Sequence, residues 1–320
     1  MIRKIFKWIG LLFLVTIVVV GSFLAHTWYS KPIYINHFFM KTAIKFAVNS
    51  PEMLSSIRVF EKFGMDGHNA KLDDASMAST DEAFEFMHEV HETLRSYEDE
   101  DLDENELMSK NIMLSLLDIV AEAERFRFHN YPLNQMFGAQ NGFPSFMEST
   151  HQVNDLGDAE DYVTRLSLVD TKFEQVLEGL KHRENLGILP PQFVITKVLE
   201  EMQGFVDTPS EENILIASFV EKLEKAGLDF KDQEAVALAA KNEVENTVYP
   251  AYQTLIDYFT KLDDKVENNY GVWNLPDGDE FYKVALKFFT TTDYTPQYIH
   301  DFGLQEVDRI QAQILEILLF

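Results

Sequence analysis

The chain has no cysteine. That absence excludes disulfides, thiolate catalysis, cysteine-ligated zinc and a lipid anchor on an N-terminal cysteine. Basic residues are scarce beyond the first 50 positions. Six of the 27 lysines and arginines (Arg3, Lys4, Lys7, Lys31, Lys41 and Lys45) lie there with no acid among them, which leaves 21 to face all 53 acids in the rest. Such a body repels phosphate backbones, so no nucleic-acid partner is expected, and the excess acid serves solubility. Also lacking are a Gly-x-Ser-x-Gly elbow, a glycine-rich loop for a nucleotide phosphate and sustained strand-type alternation. Serine-hydrolase and nucleotide-binding readings therefore have no support. Paired carboxylates are abundant, but with 53 acids spacing alone identifies none.

One apolar run is long. Trp8 to Ala25 is an uncharged stretch of 18 residues, close to the length that spans hydrocarbon. Arg3, Lys4 and Lys7 precede it, so the positive-inside rule keeps the N-terminus in the cytoplasm and exports the body. The expectation is residues 1–31 as an inner-membrane anchor with a periplasmic body. The alternative is a signal peptide cut near Val20 and Ser22, giving a secreted protein.

Residues 32–320 read as helix after helix, an all-α or nearly all-α scaffold. The organising stretch is Asp155 to Met202. Tyr162, Leu166, Val169, Phe173, Val176 and Leu180 step by three or four residues along one buried face. Asp158 is expected to cap that helix, Gly187 to break it and Pro191 to sit in the first turn of the next, so that two long helices pack as a hairpin. Elsewhere Ser50 with Pro51, Ser79 with Glu82, and Thr295 with Pro296 signal helix starts. Asn141 to Pro144 reads as an irregular connection, Tyr270 to Tyr282 as a non-helical aromatic segment, and Pro250 as a bend within a longer helix. Gly303 is expected to interrupt the last helix, whose Ile310, Ile314, Ile317, Leu318 and Phe320 have nothing evident to cover them.

No metal site is expected in this chain. His88 and His91 share a helical face, but the zinc-peptidase pattern needs histidines four apart with Glu beside the first, so two surface histidines on an acidic helix is the reading adopted. Asp99, Asp101 and Asp103 open like a calcium loop, yet Glu104 stands where Gly is needed and Lys110 where Glu is needed.

Several positions, in order, resemble the bacterial domain-of-unknown-function family 885. They are Tyr131 and Pro132; Tyr162, Arg165 and Leu166; Gly179, Gly187, Pro190 and Pro191; Pro250, Ala251 and Tyr252; Leu275, Pro276, Gly278 and Tyr282. The densest match is Thr291, Thr295, Pro296, Ile299, His300, Gly303, Leu304, Glu306, Val307, Arg309 and Ile310. Gln192 departs from a basic residue in the family, which bears on any anion-binding role there. The resemblance implies a helical, zinc-peptidase-like protein with a second half carrying a His-Glu element followed by Pro-Gly-His. This chain has no such element, so zinc, general base and peptide hydrolysis are expected only with a C-terminal half, supplied by a second polypeptide if the gene is split and lost if the reading frame is truncated and the chain is a remnant. Trp273, Tyr282 and His300 are the candidates to line a peptide-binding wall, and no catalytic residue is nominated. The other reading is an exported, non-catalytic helical binding protein.

Overall fold

A computed structural model describes residues 2–266 and 270–319, with no strand among them. The helices are α1 (Ile2–Tyr29), α2 (Ile35–Val48), α3 (Pro51–Ile57), α4 (Met77–Arg95), α5 (Glu104–Ala123), α6 (Ala139–Ser149), α7 (Leu156–Ser167) and α8 (Val169–Asn185). They continue as α9 (Gln192–Asp207), α10 (Ile214–Ala226), α11 (Phe230–Glu243), α12 (Tyr249–Asp263), α13 (Gly278–Thr290) and α14 (Pro296–Leu318).

The six residues of the predicted stripe are all buried, from Tyr162 to Leu180. The helix that carries them is divided, however: α7 ends at Ser167 and α8 begins at Val169, with Leu168 between. The cap is Asp155, whose Oδ1 accepts from the Asp158 amide, while the Asp158 carboxylate turns back to the Asn154 amide. Gly187 ends α8 with a positive φ of 76°. Its amide bonds Glu184 and that of Ile188 bonds Arg183, the reciprocal closure of a Schellman turn. Pro191 occupies the cap position itself, with extended backbone. The main packing partner of α9 is α12, which also contacts α8, so α8 and α9 share one core through a third helix.

The main core therefore gathers around α12. Tyr252 stacks on Phe205 at 4.3 Å and meets the Phe173 ring edge-on at 5.0 Å, and Tyr162 stacks on Phe219 at 4.2 Å. Pro250 has no amide to donate, and a π turn over Val244–Val248 precedes it where α11 runs into α12. Asn141 to Pro144 proves helical, inside α6. The missing amide of Pro144 strands the Gln140 carbonyl, and the buried Tyr252 hydroxyl donates to it at 2.5 Å.

A second, smaller core joins α2, α4 and α5 through Ile35, Phe38, Val90, Leu94, Tyr97 and Leu117. Here α4 is capped by Ser76, three residues before the expected Ser79, its hydroxyl accepting from the Ser79 amide. Ser50 precedes Pro51 at the start of α3 as expected, but its side chain makes no cap bond; Asp73 takes the Glu52 amide instead.

The last helix stands apart. Thr295 caps α14, accepting from the Tyr298 amide at 3.1 Å, and Pro296 fills its first turn. Gly303 does not interrupt it, and none of its residues is buried. Ile310, Ile314, Ile317 and Leu318 are exposed; Phe320 lies outside the described residues.

Candidate functional site

The aromatic segment before α13 is short. Only 270–277 is non-helical apart from a 3-10 turn at Val272–Asn274, so Tyr282 belongs to α13. Two glycines shape the junction. Gly271 has φ +87°, and a Cβ there would lie 2.4 Å from the Trp273 ring folded over it. A Cβ on Gly278 would lie 2.0 Å from the Val272 carbonyl oxygen, so turn and helix meet backbone to backbone. His129 Nε2 donates to the Pro276 carbonyl at 2.8 Å, and Phe281 packs its ring 5.6 Å from Phe126 and 5.1 Å from His129. Lys287 reaches Glu122 on α5 at 3.1 Å, a hydrogen bond that raises its pKa.

This anchoring holds Trp273 (72% exposed) and Tyr282 (43%) on one docked unit with their rings toward solvent. His300 is placed elsewhere, exposed on α14. Among the described residues no ring contact joins the three. The surface carries more aromatics than the sequence reading nominated: Phe288, Phe289 and Tyr294 are exposed, and Tyr294, Tyr298 and Phe302 form a file with centroid spacings of 4.5 and 6.4 Å. The signal for this file was the i, i+4 recurrence of aromatics from Tyr294, continuing past the turn that the Thr295 cap marks.

The most constrained polar node is Arg165, which is fully buried. Its Nε donates to the Lys71 carbonyl (2.9 Å), and its two terminal nitrogens reach His151 Nδ1 (2.7 Å), Ser55 Oγ (2.7 Å) and the His68 carbonyl (3.1 Å). Among the described residues no carboxylate pairs with it, and burial lowers its pKa to about 10. His151 accepts from Arg165 on Nδ1, so its Nε2 carries the proton and donates to the Asp158 carbonyl at 3.0 Å. Burial, reinforced by Arg165 and Lys222, pushes His151 down to about 3, against the opposing pull of that carbonyl. Lys222 donates to the carbonyls of Met147 and His151 near the C-terminal end of α6, where a cation suits the helix dipole. Every donor here ends on a neutral acceptor, and these acceptors lie on α3, in the 68–71 connection, at the end of α6, in the α6–α7 link and in the first turn of α7, so the node fastens 51–75 and the α6–α7 link to α7. Arg165 could have been suspected from sequence, since it shares the buried face of Tyr162 and Leu166.

The histidines do not assemble a metal site. His88 Nε2 bonds Glu124 at 2.7 Å, while His91 Nε2 lies 2.9 Å from Asp118, whose oxygen also accepts from Arg95. Among the described residues no group of three or more His, Asp or Glu converges for a metal ion. The described residues thus hold no donor set for the zinc centre that the family resemblance assigns to a C-terminal half. A groove of about 230 Å³ runs beside the π turn, lined by Asp170, Glu174, Asn246, Thr247, Pro250 and Thr254. No histidine, lysine or arginine lines it.

Comparison with known proteins places the chain. The family model described as "Bacterial protein of unknown function (DUF885)" matches residues 51–319. No curated protein matches. A crystal structure described as that of a "putative lipoprotein" from Colwellia psychrerythraea superposes with a TM-score of 0.77 at 21% identity, covering 87% of this chain and 50% of that one. The shared fold is clear at that score, and the chain spans about half the length of the protein it matches.

Proposed function

The chain belongs to the DUF885 family of bacterial proteins, and from that premise we propose that it is the helical scaffold half of a membrane-tethered, zinc-peptidase-like assembly. In this reading it supplies a peptide-binding surface in two parts, Trp273 and Tyr282 on the docked α13 unit and His300 on α14. Metal, general base and oxyanion stabilisation come from a complementary C-terminal half. The observation that carries the reading is α14, a 23-residue helix with no buried residue and an uncovered row of Val307, Ile310, Ile314 and Leu318. A helix with an apolar stripe in water is stable only when another surface buries that stripe. About half of the superposed structure lies outside the matched part, which supports an additional segment as the occupant.

Co-expression of the full chain with a polypeptide carrying the His-Glu and Pro-Gly-His element tests this. The two are expected to co-purify, with zinc and peptide hydrolysis in the pair only, and Ile310→Asp with Ile314→Asp is expected to separate them. Failure to associate, with α14 amides already protected from hydrogen exchange in the chain alone, contradicts the reading. That result favours an exported, non-catalytic binding protein.

The N-terminal helix fits membrane anchoring or export. Its apolar window Phe6–Tyr29 has a mean hydropathy of 2.5 and none of it is buried. We place the anchor uncleaved in the inner membrane and the body in the periplasm; with no cysteine, the chain cannot carry an N-terminal cysteine lipid.

A further inference from the structure

We propose that α2 lies in the outer membrane–water interface beside α1, so that the body is held against the bilayer surface instead of swinging on a tether. This rests on the uncleaved-anchor reading of α1. Three observations lead to it. The first is a length. Trp8 and Trp28 are both exposed on α1, and twenty residues of helix separate them by about 30 Å, the thickness of the hydrocarbon core. Tryptophans at both ends are where a spanning helix places its aromatic belts.

The second is a contact. Along α1 every residue from Phe6 to Tyr29 is exposed except Phe23 and Thr27, which are half-buried. The Phe23 ring meets the His37 ring of α2 edge-on at 5.6 Å. Phe23 lies five residues before Trp28, about 7 Å deeper along the axis. The start of α2 is therefore drawn below the level of the outer tryptophan, to the boundary between headgroups and acyl chains.

The third is the exposed apolar surface distributed over α2 and its flanks. Ile33, Tyr34, Met40, Phe46 and Val48 are exposed, 56–62% for all five within this range. The helix has no carboxylate in a chain of net charge −26. Its cations are Lys41, which donates to the Ser30 carbonyl at 2.9 Å, and Lys45, which is 3.4 Å from Glu89 on α4. Exposed apolar and aromatic residues with lysines and no acid are what an interfacial helix presents to a bilayer, burying its apolar side about 5–10 Å deep. A soluble partner would account for the exposed side chains, but not for the depth at which α1 holds them.

The cysteine-free chain permits a direct test. Met40→Cys, Phe46→Cys, Val18→Cys and Leu238→Cys, all at exposed positions, are each spin-labelled in the full chain. The labelled chains are reconstituted in phosphatidylethanolamine–phosphatidylglycerol vesicles. Collision with oxygen and with a water-soluble nickel chelate is then measured. The expected result is a several-fold higher oxygen-to-nickel ratio at 40 and 46 than at 238, intermediate between 238 and 18. A ratio at 40 and 46 equal to that at 238, with 18 deep in the bilayer, overturns the proposal and leaves the anchor standing. Shielding of 40 and 46 from both reagents overturns it in favour of a protein contact. A water-exposed label at 18 overturns the anchor reading and this inference together.

Discussion

His151 shows how far a side chain's role can depart from its residue type. Histidine invites a catalytic or metal reading, yet here the ring is a neutral strut between Arg165 and the Asp158 carbonyl. Its pKa is depressed from 6.5 to about 3, burial being the largest cause. The unfolded chain therefore binds a proton that the folded chain refuses throughout that window. The stability this contributes is complete above pH 6.5 and is lost as pH falls, at about 1.4 kcal/mol per pH unit. Urea midpoints of the full chain in detergent are expected to drop between pH 7 and 5. In His151→Gln, which has no proton to gain, that component of the slope is expected to vanish. Equal slopes for both proteins would show that His151 titrates normally in the fold. Arg165 was legible as a position on an apolar face, but three of its partners, residues 55, 68 and 71, lie 110, 97 and 94 residues away, and no local pattern announces such contacts.

At the level of elements, the best-read helices are those whose signals are local. Gly187 ends α8 in its left-handed conformation, and Thr295 and Pro296 open α14 by cap and first turn. Readings failed where a distant group decides the matter. Pro144 should break a helix, but α6 tolerates it because Tyr252, 112 residues from Gln140, satisfies the orphaned carbonyl. Tyr252→Phe is expected to cost about 1–3 kcal/mol through that buried carbonyl. In a Pro144→Ala background the restored amide can serve Gln140, and the penalty of Tyr252→Phe is expected to shrink. Additive effects in a double-mutant cycle would refute the link. Leu168 hid the α7–α8 break for a related reason: the apolar stripe runs through it without a gap. Gly303, by contrast, sits in an exposed helix where loss of a side chain removes no packing. The same exposure gives a contrast in stability. Phe259→Ala in the main core is expected to cost about 3–5 kcal/mol. Ile310→Asp and Ile314→Asp are expected to leave the melting temperature of the isolated chain within a degree or two, because neither side chain is buried.

Among the described residues the molecule has two cores and two uncovered ends. The main core gathers around α12, the smaller one joins α2, α4 and α5, and α1 and α14 project apolar surface that neither core buries. The helical class and the buried stripe could be read from periodicity. The aromatic surface around α13 could not, because its exposure depends on where Gly271 and Gly278 fold the chain. On the proposed reading one free end belongs to a bilayer and the other to a second half that brings the chemistry. The most direct test of that division is the zinc content of the purified full chain, measured after exposure to excess zinc and dialysis. The account predicts substoichiometric metal and no cleavage of a mixed peptide library. One firmly retained zinc per chain, together with peptide hydrolysis, would contradict it.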